Sequence, residues 1–166
     1  SKKWTEQPDI SLGNINYMVN MDMIGRLNDS TRKLIIYGVG TSPVFVPLLD
    51  SLQCSFQLKK DSSGTGPSDQ TSFYLKDIPV LHFFTGQHAD YHKPSDDVEK
   101  VNFYGEAEVL AFIAQYMASY TDISTGCPLA MTHPDALVLA SRAPATVRVM
   151  IGGKTVAMEF SAGDAV

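Results

Sequence analysis

The stretch that decides the fold is an apolar run with a single carboxylate near its end. Residues 15–24 read INYMVNMDMI, and Asp22 is the only charged residue among them. Such a composition predicts a buried β-strand, and Gly25 predicts where that strand stops. Asp22 is therefore expected at the carboxyl end of a strand, where open α/β sheets carry their binding sites.

The rest of the first 124 residues alternates between strand and helix patterns. Three more apolar runs predict strands over residues 33–37, 55–59 and 78–84, and the last of these, IPVLHFF, predicts a central strand. Apolar residues at helical spacing predict helices over residues 44–52, 68–75 and 104–120, with Ser68 as the cap of the second. This alternation predicts an α/β fold, in which helices flank a sheet.

The composition changes after Gly126, where eight of the 13 alanines lie. Residues 145–151 and 154–160 predict two strands, and the Gly152–Gly153 pair between them is typical of a β-hairpin. We therefore predict two parts, a main domain over residues 1–124 and a β-rich tail over residues 125–166.

Charge and hydropathy exclude several classes of partner. With 13 Lys and Arg against 18 Asp and Glu, the net charge is −5, so no basic field is present to hold a phosphate backbone. No apolar run approaches the roughly 18 to 20 residues that a membrane-spanning helix needs. We therefore expect neither a nucleic-acid nor a membrane partner. The N-terminal residues lack the apolar stretch of a signal peptide, and the compartment stays undetermined.

Two features of the sequence carry the chemistry. A carboxylate at the end of an apolar strand is costly to bury unless it is paired or binds a cation, so Asp22 is either a turn cap, a partner of Arg26, or a metal ligand. The loop 86–97 also follows an apolar strand, and it holds His88, Asp90, His92, Asp96 and Asp97. Imidazole and carboxylate together suit zinc, although such a loop can equally be a solvated surface. A carboxylate such as Asp96 could orient a liganding histidine.

Three segments in this order resemble one family. They are NMDMIGR at residues 20–26, SDQTSF at residues 68–73, and the stretch from IPVL at residues 78–81 through FTG at residues 84–86 to DYHKPSD at residues 90–96. Together they resemble the bacterial zinc-dependent exopeptidases of the aminopeptidase and glutamate carboxypeptidase type. The resemblance covers roughly residues 8–120 and implies part of the sheet of such an enzyme.

The resemblance implies roles for individual residues. It implies that Asp22 binds one of two zinc ions and His92 the other, and that Tyr91 donates a hydrogen bond to the carbonyl oxygen as it becomes an oxyanion. It implies supporting places near the site for Ser68, Asp69 and Asp96, and structural or rim places for His88 and Asp90. Gln70 stands where the family commonly has His. The implied reaction is release of an N-terminal residue from a peptide by metal-activated water.

The same resemblance implies that most of the site is missing from this sequence. The family uses five protein ligands and a Glu base, and the other elements precede the strand that ends at Asp22. Here the only Glu before Asp22 is Glu6, and no His precedes His82. The chain therefore resembles the C-terminal part of such an enzyme, with one zinc or none expected in this chain alone.

Three functions stay open at this point. The chain is part of a zinc aminopeptidase, a non-catalytic oligomeric remnant or binding module, or a hydrolase with a makeshift site, in which Ser68 would be the nucleophile of an esterase. Since a truncated sheet exposes an open edge and apolar faces, we expect either a homo-oligomer or a missing N-terminal segment as partner, besides any peptide substrate.

Overall fold

The computed structural model describes residues 2–124, 145–151 and 154–160, with side chains for residues 2–120. The chain divides into two compact units, Ser1–Phe112 and Ile113–Val166. The predicted boundary between residues 124 and 125 stays a prediction.

The first unit contains four strands and three complete helices, and a fourth helix begins in it. The strands are β1 (Met18–Met21), β2 (Lys33–Tyr37), β3 (Gln57–Asp61) and β4 (Val80–Phe84). The helices are α1 (Lys2–Glu6), α2 (Phe45–Ser51), α3 (Gln70–Tyr74) and α4 (Phe103–Ser124). Single 3₁₀ turns lie at Leu12–Asn14, Ile24–Arg26, Val39–Thr41 and Val98–Lys100. None of the helices described here is both long and apolar enough to cross a bilayer.

The four strands form one mixed sheet in the order β1-β4-β2-β3. β1 is parallel to β4, β2 is parallel to β3, and β2 runs antiparallel to β4. The prediction of an α/β sheet with flanking helices is confirmed, and the IPVLHFF run does form an inner strand. Val80, Leu81 and Phe83 of β4 are 0% exposed, which explains why this run is apolar without interruption.

Apolar side chains of the flanking elements pack against the inner strands β2 and β4, while β1 is half-buried and alternate residues of β3 are exposed. Buried residues of the first unit include Phe45, Leu48 and Leu49 of α2, Phe73 of α3, and Val109 and Phe112 of α4. The Phe112 ring contacts the Phe56 ring edge to face at 5.7 Å, and Trp4 of α1 stacks on Phe73 at 5.6 Å. Gly38 ends β2 with φ of 84°, and a Cβ there would lie 2.2 Å from the carbonyl oxygen of Val80. Only glycine fits that turn.

The ends of several elements differ from the prediction. β1 ends at Met21, because Met23 adopts a left-handed φ of 56° and a 3₁₀ turn follows at Ile24–Arg26. The predicted strand over residues 15–24 is therefore too long at both ends, and β1 is half-buried where a buried strand was predicted. β3 begins two residues later than predicted, at Gln57.

The second unit contains two described strands, β5 (Ala145–Ile151) and β6 (Lys154–Phe160), paired antiparallel with Ile151 opposite Lys154. The two predicted strands are present with the predicted bounds. The Gly152–Gly153 pair itself, and the rest of the predicted tail, lie outside the described residues.

Candidate functional site

The two segments that carry the candidate ligands leave the sheet at the same edge. β1 and β4 are parallel, Met21 lies opposite Phe83, and the Asp22 N–H donates a hydrogen bond to the Phe83 carbonyl at 3.2 Å. We call residues 22–27, which follow β1, the Asp22 loop, and residues 85–97, which follow β4, the His92 loop. Their shared edge matches the placement that the sequence predicts.

One oxygen of the half-buried Asp22 carboxylate is held by a serine from a distant element. The Ser68 hydroxyl donates to Asp22 Oδ2 at 2.7 Å. The prediction that Ser68 caps the helix is wrong, because α3 begins at Gln70 after Asp69, and no side-chain cap bond is made. The hydroxyl is used on Asp22 instead. Ser68 thus has the supporting place that the resemblance implied, and exposed Asp69 directly precedes the helix.

Two amide side chains, half-buried Asn20 and buried Gln70, orient that serine. Asn20 Nδ2 donates to Ser68 Oγ at 2.8 Å and to Gln70 Oε1 at 3.1 Å. Gln70 is 1% exposed. Since Asn20 occupies an acceptor position of Ser68, the Ser68 proton is left to point at Asp22. The sequence did not single out Asn20, although it lies two residues before Asp22 and alternate residues of an extended chain lie on one face.

On the other side of the edge, His92 lies in an exposed segment beside an aromatic neighbour. The His92 and Tyr91 rings are 4.0 Å apart between centroids, and the His88 ring meets Tyr91 edge to face at 6.4 Å. Tyr91 is 40% exposed, so its phenol is accessible to a bound molecule. His92 adopts a left-handed φ of 55°, a conformation that costs energy for a residue with a side chain.

Arg26 of the Asp22 loop makes two ion pairs with the His92 loop. Its Nη2 donates to Asp90 Oδ2 at 2.7 Å, and its Nη1 donates to Asp96 Oδ1 at 3.0 Å. The alternative in which Arg26 pairs with Asp22 is therefore not what the structure shows. Asp96 Oδ2 also lies 3.8 Å from His88 Nε2, so among the described contacts Asp96 faces His88 and not the candidate ligand His92.

The charges of this region shift two pKa values. The pKa of the Asp90 carboxyl is held far below its usual range by hydrogen bonds from Lys100, Ser95 and Arg26, in that order of effect. The pKa of the His82 imidazole is lowered by burial, and the negative charge of Asp22 opposes this lowering. Asp90 is therefore an anion that belongs to the ion-pair network, in keeping with a structural place.

His82 lies on β4 between Asn20 of β1 and Tyr37 of β2. Its ring stacks on Tyr37 at 5.5 Å, and its buried Nε2 makes no hydrogen bond with the part of the chain that the structure describes. The imidazole is thus a buried group of the core whose pKa responds to the Asp22 charge.

The residues that the structure describes do not by themselves form a metal site. Within residues 2–120 no three His, Cys, Asp or Glu side chains are grouped so that they could hold a metal ion. A catalytic zinc normally has three protein ligands and a water. Asp22 and His92 therefore define part of a site at most.

The model of Peptidase family M28 matches residues 1–117. This chain belongs to peptidase family M28. No curated protein matches the chain.

Among solved structures, the Legionella pneumophila LapA aminopeptidase is similar, with a TM-score of 0.53 and 18% sequence identity. The match covers 69% of this chain and 32% of LapA, so the chain spans about a third of the length of that protein. At this identity the likeness shows the fold alone, and that fold is the one that the sequence resemblance implied.

Proposed function

We propose that this chain supplies one side of the active site of a zinc-dependent peptidase that removes N-terminal residues from peptides. Asp22 and His92 each contribute one metal ligand, and Tyr91 donates a hydrogen bond to the substrate carbonyl oxygen. The observation that carries the proposal is the common edge of β1 and β4, from which both candidate ligands extend. Membership of family M28 supports the peptidase class, and the aminopeptidase name of the similar structure supports the N-terminal specificity.

The surroundings of Asp22 suit a ligand. Ser68 is the one donor that the described residues give to its carboxylate, and it occupies Oδ2. Oδ1 is left for a cation, while the hydrogen bond fixes the plane of the carboxylate. Hydrogen-bonded carboxylates of this kind are usual among metal ligands.

The remaining ligands must come from protein outside the described residues. We propose that a further segment or a second copy provides them across the open side of β1, which within the described sheet pairs only with β4. An unpaired strand edge is a surface at which another chain readily adds a strand. We therefore expect the isolated chain to associate.

A second candidate function is a non-catalytic oligomeric module. The absence of a three-residue metal cluster within residues 2–120 favours it. The esterase alternative is less well supported, because the partners described for Ser68 Oγ are a carboxylate and an amide. A serine nucleophile is commonly activated by a neighbouring base such as His.

Zinc titration of the whole chain by calorimetry tests the proposal. We expect Asp22→Asn and His92→Gln each to weaken zinc binding about tenfold or more, since each removes one ligand. Asp97→Asn and His88→Gln are the matched controls and should bind zinc like the unaltered chain. An affinity that rises with protein concentration would indicate a site shared between copies.

Two results would contradict the metal proposal and support the module. One is a folded chain that binds no zinc at any concentration, and the other is unchanged affinity in both ligand variants. Hydrolysis of an aminoacyl p-nitroanilide that a chelator abolishes would support the peptidase, whereas hydrolysis insensitive to the chelator would support a serine mechanism.

A further inference from the structure

We propose that Arg26 is a positioning residue, which clamps the Asp22 loop to the His92 loop and so sets where the two candidate ligands lie relative to each other. The proposal deepens the proposed function and rests on it for the meaning of the two loops. The clamp itself is a property of the metal-free chain.

Arg26 is firmly anchored in the Asp22 loop. The Asp22 loop turns sharply at Met23 and continues as the 3₁₀ turn Ile24–Arg26, in which Ile24 is buried. The Gly25 carbonyl accepts a hydrogen bond from the Asn102 N–H at 2.8 Å, and a Cβ at Gly25 would lie only 3.3 Å from Val101 Cγ1. The turn is therefore packed closely against residues 101–102, and Arg26 extends from a fixed base.

The guanidinium group of Arg26 binds two carboxylates of the His92 loop. Nη2 binds Asp90 and Nη1 binds Asp96, so one planar group holds both ends of the segment 90–96. Tyr91 and His92 lie between these two points. A planar fork with several donors can hold two carboxylates at once, which a lysine ammonium does less well because it is a single compact charge.

Asp90 accepts further hydrogen bonds besides the one from Arg26. Ser95 Oγ donates to Asp90 Oδ1 at 2.8 Å, and Lys100 Nζ donates to the same oxygen at 2.6 Å. The other oxygen, Oδ2, accepts from Arg26. Both carboxylate oxygens are thus engaged, but Arg26 alone of these three donors belongs to the Asp22 loop. A second, neutral tie joins the loops at their base, where the Thr85 hydroxyl donates to the Met23 carbonyl.

The segment that carries Tyr91 and His92 needs such a clamp. Residues 91–100 are all exposed, so burial does not hold the segment that carries Tyr91 and His92. His92 also keeps an unfavourable left-handed φ, which persists only where the surroundings impose it. The hydrogen bond from the Lys93 N–H to the Asp90 carbonyl, at 2.8 Å, closes a turn around His92, and Arg26 holds Asp90 at the start of that turn.

Amide hydrogen exchange of the whole chain without metal tests the clamp. The Tyr91, Lys93 and Asp96 amides make hydrogen bonds inside the His92 loop and report on its opening. We expect Arg26→Gln to accelerate their exchange about fivefold or more, and the Gln57 amide, bonded to the Arg32 carbonyl, to stay unchanged.

Three further variants make the test specific. Lys100→Gln also removes a cation from Asp90, but it breaks no tie to the Asp22 loop, so these amides should stay close to their original rates. Arg26→Lys keeps the charge without the two-pronged geometry and should give an intermediate acceleration. Should Arg26→Gln prove unstable, Asp96→Asn removes one prong only and should accelerate exchange less.

Equal effects of Arg26→Gln and Lys100→Gln would overturn the proposal, since the charge and not the bridge would then matter. Full recovery in Arg26→Lys, or equal acceleration at Gln57, would overturn it as well. Because no zinc is used, the clamp can hold while zinc binding fails, and the two proposals are tested separately.

Discussion

The Asp22 side and the His92 side of the candidate site are built from different interactions. Asp22 is held through neutral side chains, Ser68 and Asn20, that lead back to Gln70 at 1% exposure. Residues 91–97 of the His92 loop are exposed, and the ion pairs of Arg26 tie the loop to the Asp22 side. Hydrogen bonds between neutral groups that lead to a buried side chain are insensitive to salt, whereas exposed ion pairs are weak and screened. One side is therefore rigid, and the other can adjust.

The largest expected effect comes from Gln70, the buried residue at the end of the hydrogen-bonded chain that holds Asp22. Gln70→Leu keeps the approximate size of the side chain but leaves one Asn20 donor without its acceptor. Losing this hydrogen bond at a half-buried donor costs about 1 kcal/mol, so the free energy of unfolding in urea should fall by about that amount. The matched control is Gln57→Leu on the exposed start of β3, which should change it by less than about 0.5 kcal/mol.

Equal effects in these two variants would show that Asn20 and Gln70 do not act as a pair. A drop confined to Gln70→Leu would make the contrast between the two sides quantitative, because no exposed ion pair should match it.

The sheet was largely predictable from the sequence, for a physical reason. A strand buried on both faces must be apolar without interruption, so residues 78–84 could be recognised as an inner strand from composition alone. The direction of β2 relative to β4 could not be predicted in the same way. An apolar strand presents the same side chains to the core whether it pairs parallel or antiparallel, and only the connections decide.

In the candidate site, only a residue whose type is unusual for its place in the chain could be predicted from the sequence. Asp22 is conspicuous because it is charged in an apolar run. The sequence predicts Ser68 as a helix cap, because the local pattern of a serine before a helix is the same whether its hydroxyl bonds the helix or a distant carboxylate. Arg26 lies 64 and 70 positions from Asp90 and Asp96, and charge composition does not encode such a pairing.

The second prediction concerns pH and the buried side. Burial lowers the pKa of His82 in the folded protein below the value of about 6.5 in an unfolded chain. The unfolded state therefore binds the proton more readily, so this contribution to stability is present above pH 6.5 and is lost as the pH falls. We expect the free energy of unfolding to fall between pH 7.5 and 5.5 by a larger amount in the unaltered chain than in His82→Phe, which keeps a ring against Tyr37.

The coupling of His82 to Asp22 gives a direct check. Because the Asp22 charge raises the His82 pKa against the effect of burial, Asp22→Asn should move the His82 ring titration, followed by NMR, to still lower pH. Asp97→Asn serves as the control. A shift in the opposite direction, or the same shift in both variants, would contradict an interaction across the buried side.

The smallest expected effect is that of salt on amide exchange in the His92 loop. Raising the salt from about 0.05 M to about 0.5 M shortens the screening length from over 10 Å to under 5 Å, and exposed ion pairs weaken accordingly. The Lys93 and Asp96 amides should then exchange faster by a factor of less than about three, because Thr85 still ties the base of the loop. The Asp22 amide, bonded to Phe83 within the sheet, should show no change. If the Asp22 amide exchanged faster with salt by the same factor as the Lys93 and Asp96 amides, ion pairs would stabilise both loops equally. The contrast between the Asp22 side and the His92 side would then be wrong.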